Sequence, residues 1–159
     1  MAGRTILEAG TGSGIYLRYL KAKGFTVYGI DLSIESVKKA KQQCHNIVQG
    51  NIFQLPFKDN SIDIIFNQGV MEHFTDEEWN RILKEFSRVS KRLVVIVPGN
   101  LSLWRIYDPI GDDDEKRFIS PQKLSDLLSR HYSHCSAYQV PLMGFLSVVG
   151  YGEKDGEKN

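Results

Sequence analysis

Residues 6–14 read Ile-Leu-Glu-Ala-Gly-Thr-Gly-Ser-Gly, an apolar run that meets the acid Glu8 and then breaks into three glycines two apart. No other stretch limits the fold as strongly. A short apolar run reads as a buried strand, and glycines at its end are tolerated where the backbone turns sharply or lets a ligand come close. The next apolar run, residues 25–30, closes on a second acid, Asp31. Acids and glycines at the carboxyl ends of successive strands describe an α/β fold that offers main-chain amides to a nucleoside-bearing ligand.

Spacing narrows the ligand. The dinucleotide fingerprint G-x-G-x-x-G would place its third glycine where Ile15 stands, whereas this chain has G-x-G-x-G. Glu8 lies two residues before the first glycine. A carboxylate there disfavours a pyrophosphate and suits a cationic group such as an ammonium or sulfonium.

The rest of the chain alternates strand and helix patterns. Short apolar runs at residues 5–8, 26–30, 46–48, 62–66 and 93–97 predict parallel strands covered on both faces. Residues 14–23 predict a helix stopped by Gly24. Ile34, Val37, Ala40 and Cys44 predict one helix face behind a Ser33 cap, and Trp79, Ile82, Leu83, Phe86 and Val89 another behind the Thr75-x-x-Glu78 capping box. Ser120 with Pro121 in the first turn opens a last helix to residue 130, followed by extended stretches at 132–140 and 145–151. The expected fold is a Rossmann-like, doubly wound, mostly parallel sheet of seven strands, with a C-terminal antiparallel hairpin and helices on both faces. Residues 1–152 are read as one domain and residues 153–159 as a frayed polar tail.

Three segments together resemble the class I S-adenosylmethionine-dependent methyltransferases. The first runs from Glu8 through Gly14 to Asp31. The second, Gly50-Asn51-Ile52-Phe53-Gln54-Leu55-Pro56-Phe57, is similar to the family's G-D-x-x-x-L-P-F block, and the strand at residues 62–66 follows it. The third, residues 67–74, resembles the strand-end motif with the Glu72-His73 pair found in the branch acting on small molecules. The resemblance implies S-adenosylmethionine as cofactor and methyl transfer to a small-molecule acceptor by in-line displacement.

The same resemblance assigns roles. Asp31 would bind the ribose hydroxyls. Gly10, Thr11 and Gly12 would admit the methionine part, while Gly14 permits close helix packing. Glu8 would help hold the ammonium group, and Gln68 and Gly69 would offer it backbone carbonyls. Asn51, where the family has an aspartate, would contact the adenine amine through its side-chain oxygen, with Ile52 and Leu32 sandwiching the ring. His73 is the candidate general base, because an unperturbed imidazole titrates near neutrality. Trp104 and Tyr107, in the long connection at residues 98–119, are candidates for the acceptor pocket.

Composition sets the remaining bounds. With 159 residues and 42% hydrophobic content, the chain can bury a real core. A net charge of +1 gives no field for gripping a phosphate backbone, so nucleic acid is not an expected partner; Lys38, Lys39 and Lys41 read as a solvated helix face. There is neither an apolar run of about eighteen residues nor a signal leader, so no membrane span is expected and the cytoplasm is the expected location. Cys44 and Cys135 read as reduced, buried structural thiols, and Asp112, Asp113 and Asp114 as a solvated acidic turn; no metal site is expected. Family members carry tens of residues before the glycine motif. Here the first strand starts about four residues in, so the chain is read as a minimal core, as a trimmed piece, or as one whose site is covered by a second copy, a partner subunit or the 98–119 connection. An RNA or protein methyltransferase of the same fold, and a non-catalytic cofactor-binding subunit, are the alternative readings.

Overall fold

In this computed structural model, which describes residues 3–99, 118–142 and 145–155, seven strands lie in one sheet in the order β3-β2-β1-β4-β5-β7-β6. The strands are β1 (Thr5–Ala9), β2 (Thr26–Asp31), β3 (Ile47–Gln49), β4 (Ile62–Gln68), β5 (Ser90–Pro98), β6 (His134–Leu142) and β7 (Phe145–Glu153). The first five run parallel, and β7 enters antiparallel between β5 and β6. The expected hairpin is therefore present, with its second strand nearer the sheet centre. The chain winds outward from β1 to β3 and then returns to place β4 on the other side of β1. Such a reversal opens a crevice at the carboxyl ends of β1 and β4, where open α/β sheets bind ligands.

Helices α1 (Ile15–Ala22) and α2 (Ile34–Lys41) cover one face, while α3 (Asp76–Val89) and α4 (Pro121–Leu128) cover the other. Leu17, Val37, Ala40 and Cys44 pack with Val27 and Ile47 on the first face. Trp79, Phe86, Leu124 and Leu128 pack with Leu7, Ile65, Leu93 and Val95 on the second. The first face is only partly covered. Tyr16, Tyr19 and Leu20 of α1 border an open apolar groove of about 330 Å³ floored by Ile6, Ile64, Phe66 and Val94.

The expected caps form. Ser33 Oγ accepts from Ser36 N, Thr75 and Glu78 close a reciprocal capping box, and Ser120 Oγ accepts from Lys123 N with Pro121 in the first turn. Helix α2 ends at Lys41, before Cys44, which is still buried through a turn in which its amide donates to the Ala40 carbonyl. Cys135 is half-buried rather than buried, and both thiols are free. Lys38, Lys39 and Lys41 face solvent.

Two of the boundaries that differ from the sequence reading bring charged residues into the fold. Strand β5 starts at Ser90, directly after α3, although Ser90-Lys91-Arg92 looks like a polar loop. Ser90 is wholly buried with its hydroxyl bonded to the Arg92 backbone, and the Arg92 guanidinium pairs with Glu153 on β7 at 2.8 Å. Residues 153–155 likewise belong to the fold: Glu153 ends β7, the Lys154 ammonium reaches the Ser87 carbonyl, and Asp155 meets His134 at 2.8 Å. Charges that read as solvated in the sequence find partners on neighbouring elements. Among the described residues, no helix is long and apolar enough to cross a membrane.

Arg88 fixes the loop between β3 and β4. From α3 it donates to the Leu55 and Phe57 carbonyls and to Glu85 and Asp59, while Glu85 accepts from Leu55 N. The L-P-F block is thus tied to α3, which holds the preceding residues, Asn51 and Ile52, at the crevice.

Candidate active site

The glycine turn folds back onto β2. Gly10 N and Thr11 N both donate to the Ile30 carbonyl, at 2.8 and 3.1 Å. Asp31 completes the junction: one carboxylate oxygen accepts from Gly12 N at 2.8 Å and the other from Ser33 N at 2.9 Å. The acid at the end of β2 therefore staples the turns after β1 and β2 and remains only part-buried.

The three glycines meet three different needs. All have positive φ, at +83°, +52° and +76°. A methyl group on Gly10 would stand 2.3 Å from Val70 of the turn after β4, and one on Gly14 would stand 2.9 Å from the Ala40 backbone of α2. Gly14 serves close helix packing, as expected. Gly10 makes room for Val70. Only Gly12 would point its methyl group into open space, with nothing within 4 Å.

Glu8, at 3% exposure, sits beneath this turn, where its carboxylate accepts from Thr11 Oγ1 at 3.0 Å. Burial pushes its carboxyl up to about 7, with the Thr11 hydrogen bond opposing and the nearby Asp31 charge reinforcing the shift.

Beyond β3, Asn51 is exposed and its Oδ1 accepts from Phe53 N at 2.9 Å, so the oxygen offered to an adenine already closes a local turn. One lone pair remains for a second donor. Ile52 is buried in the core, whereas Leu32 is 71% exposed at the end of β2.

The third wall follows β4. Gly69 has φ +69° and donates its amide to the Ile96 carbonyl at 3.3 Å. A single 3-10 turn, Met71–His73, comes next, and Trp79 Nε1 pins it by donating to the Met71 carbonyl at 2.8 Å. That turn buries Glu72 and leaves His73 exposed. Gln68, Gly69, Glu72 and His73 border a cavity of about 320 Å³, closed by Ile96, Pro98, Phe118 and Ser147.

The structure thus gathers Glu8, Gly10, Thr11, Gly12, Gly14 and Asp31 in one junction, and Gln68, Gly69 and His73 along the neighbouring cavity. Trp104, Tyr107 and residues 112–114 lie outside the described residues. Sequence reasoning passed over Val70, Glu72 and Asn67. The signal for Asn67 was available, since a polar amide inside an otherwise apolar strand run needs a partner.

Comparison with known proteins agrees with this layout. Residues 7–97 match the family model described as a methyltransferase domain. An uncharacterized methyltransferase of Geobacillus sp. strain WCH70 is 35% identical over 94 residues, covering 57% of this chain and 44% of that protein. A malonyl-[acyl-carrier protein] O-methyltransferase of Hamiltonella defensa is 27% identical over 137 residues, covering 80% of this chain and 52% of that protein. The chain spans about half the length of these relatives. The crystal structure of magnesium protoporphyrin IX methyltransferase from Synechocystis PCC 6803, with bound SAH, superposes with a TM-score of 0.77 at 18% identity, covering 97% of this chain and 75% of that one.

Proposed function

Because the chain belongs to the class I S-adenosylmethionine-dependent methyltransferase family, we propose that it transfers the methyl group of S-adenosylmethionine to a small-molecule acceptor held in the cavity beside β4. The observation that carries this reading is the junction of Gly12 and Asp31. The glycine amide is fixed by the carboxylate while the side where a methyl group would lie stays open, as a turn that cradles a ligand requires. When bound, S-adenosylmethionine supplies a methyl group already activated by its positive sulfur.

The chain's own residues then bind and align. Asp31 keeps lone pairs for ribose hydroxyls after accepting from Gly12 and Ser33. Thr11 stands with Glu8 below the turn, where the buried carboxylate favours a cationic arm. Leu32, exposed at the end of β2, and Asn51 and Ile52 after β3 would hold the adenine. The backbone carbonyls of Gln68 and Gly69 would accept from the ammonium. His73, at the cavity rim, would accept the proton that a hydroxyl loses during methyl transfer, or that a protonated amine loses before its lone pair is free to attack, the electron pair of the broken carbon–sulfur bond returning to the cofactor's sulfur. Most of the rate comes from alignment, because holding two reactants in line replaces a bimolecular encounter.

The acceptor reading rests on the size of the cavity and on its mixed lining of Gln68, Glu72 and His73 against Ile96, Pro98 and Phe118. By name, one relative acts on malonyl-[acyl-carrier protein] and one protein of similar fold on magnesium protoporphyrin IX. Calorimetric titration with S-adenosylhomocysteine, with NAD as control, tests the cofactor. Micromolar binding of the first alone is expected, and Asp31→Ala should weaken it at least ~tenfold by removing a charged hydrogen-bond acceptor. Binding of NAD instead would overturn the reading. Release of S-adenosylhomocysteine across a panel of amines, phenols and carboxylic acids then tests the acceptor class.

A further inference from the structure

Strand β4 carries one polar side chain into the interior next to the crevice. Asn67 has no exposed surface, and its Nδ2 donates to the Ala9 carbonyl at 2.5 Å, across from β4 to the end of β1. That contact fixes the amide's orientation, because only the nitrogen end can face a carbonyl. The other end, Oδ1, is buried and has no hydrogen-bond partner among the described residues. A buried acceptor left unpaired is costly and is retained where something else satisfies it.

Its neighbours show where that partner would come from. Ala9 is the last residue before the glycine turn, and Asn67 directly precedes Gln68 and Gly69. Val70, three residues on, fills the space above Gly10. The amide therefore bridges the carboxyl ends of β1 and β4 at the point where the sheet reverses direction. A tie between two strands needs only the donor; the second polar atom is left over. The amino-acid arm of S-adenosylmethionine brings an α-ammonium group, three N–H donors and a positive charge, to this end of the crevice.

We propose that Asn67 is a cofactor-binding residue whose Oδ1 accepts a hydrogen bond from the α-ammonium group while its Nδ2 holds the Ala9 carbonyl in place. The assignment rests on the S-adenosylmethionine reading given above. It makes Asn67 one of the groups, with Glu8 and the Gln68 and Gly69 carbonyls, that distinguish ligands with the amino group from ligands without it.

Two ligands differing only in that group provide the test: S-adenosylhomocysteine and its desamino analogue, each titrated against wild type and Asn67→Ala, with thermal melting to verify folding. Wild type should prefer the amino form. The variant should lose at least ~tenfold in affinity for S-adenosylhomocysteine and keep its affinity for the desamino analogue, so that the preference falls by the same factor. Equal losses for both ligands would make Asn67 a strand tie only and overturn the proposal, as would no loss for either. Should Asn67→Ala fail to fold, Asn67→Ser, whose hydroxyl can still donate to Ala9, is judged by the same ratio. Wild type binding neither ligand would refute the cofactor reading itself, an outcome separate from a wild type that binds both and a variant that keeps the preference.

Discussion

Alanine at Gly12 and at Gly14 separates the part of the glycine turn that holds the fold from the part open to a ligand. Both positions have positive φ, so a side chain at either costs ~1–2 kcal/mol in backbone strain alone. At Gly14 the new methyl group would also stand 2.9 Å from Cα and 3.0 Å from Cβ of Ala40. Ala40 has no rotamer with which to retreat, so α1 and α2 must move apart, and overpacking of that kind adds ~1–3 kcal/mol. The expected losses are then ~2–5 kcal/mol for Gly14→Ala and ~1–2 kcal/mol for Gly12→Ala. Domains of this size hold about 5–15 kcal/mol in total, so the first variant loses a large share and the second folds. Urea unfolding followed by circular dichroism measures the difference. Titration with S-adenosylhomocysteine should then find Gly12→Ala folded but at least ~tenfold weaker, because its methyl group occupies the open side of the turn. Equal destabilisation by the two substitutions would refute the packing argument, and wild-type affinity in Gly12→Ala would refute the cradle.

Further outcomes follow from two buried groups, Glu8 and Trp79. The folded state keeps a proton on Glu8 up to about pH 7, whereas the unfolded chain releases it near its ordinary value of 4.5. The folded state thus binds more protons between these values, and this group's contribution to stability falls as pH rises through them, by up to ~3 kcal/mol. Glu8→Gln should flatten that slope in urea unfolding at pH 5 and pH 8; an unchanged slope would acquit Glu8. A bound cation favours the ionised carboxylate, so affinity for S-adenosylhomocysteine should rise from pH 6 to pH 8 more in wild type than in the variant. Trp79→Phe leaves the Met71 carbonyl with the Phe74 amide, at 3.2 Å, as its donor beneath the turn that carries Glu72 and His73, and loss of the indole bond should cost ~0.5–1.5 kcal/mol. A loss below ~0.5 kcal/mol would mean that solvent or another donor replaces the indole.

The glycine turn, the two strand-end acids and the helix caps were legible because each answers to a local rule, either a backbone region open to glycine or a side chain that reaches its own helix. The parallel strands of the sheet followed from continuous apolar runs separated by helical patterns. What stayed hidden depends on contacts distant in sequence. Ser90-Lys91-Arg92 reads as a loop until Glu153, more than sixty residues on, pairs with Arg92 at the sheet. That Gly10 makes room for Val70 depends on how the turn after β4 folds, and spacing within residues 6–14 holds no trace of it. The Glu72-His73 pair was visible, but which member turns inward depends on a 3-10 turn pinned by Trp79, so the buried carboxyl was passed over for the exposed imidazole.

Three ties at the carboxyl end of the sheet share one design. Asp31 joins the turns after β1 and β2, Asn67 joins the ends of β4 and β1, and Trp79 joins the turn after β4 to α3. Each uses a side chain to hold a main-chain group of a neighbouring segment, so the crevice walls are set by hydrogen bonds that do not require a ligand. Chemistry that depends mainly on alignment benefits from such walls, because a loop ordered only on binding would draw its ordering entropy from the binding energy. The same logic accounts for the small part that side-chain acid–base groups play. On the proposed reading, His73 at the exposed rim accepts a proton, while the backbone held at Gly12, Ala9 and Met71 aligns the reactants. On that reading, substitutions at these ties should change how well the reactants line up more than which acceptors are taken, whereas substitutions lining the cavity between Gln68 and Phe118 should change acceptor choice.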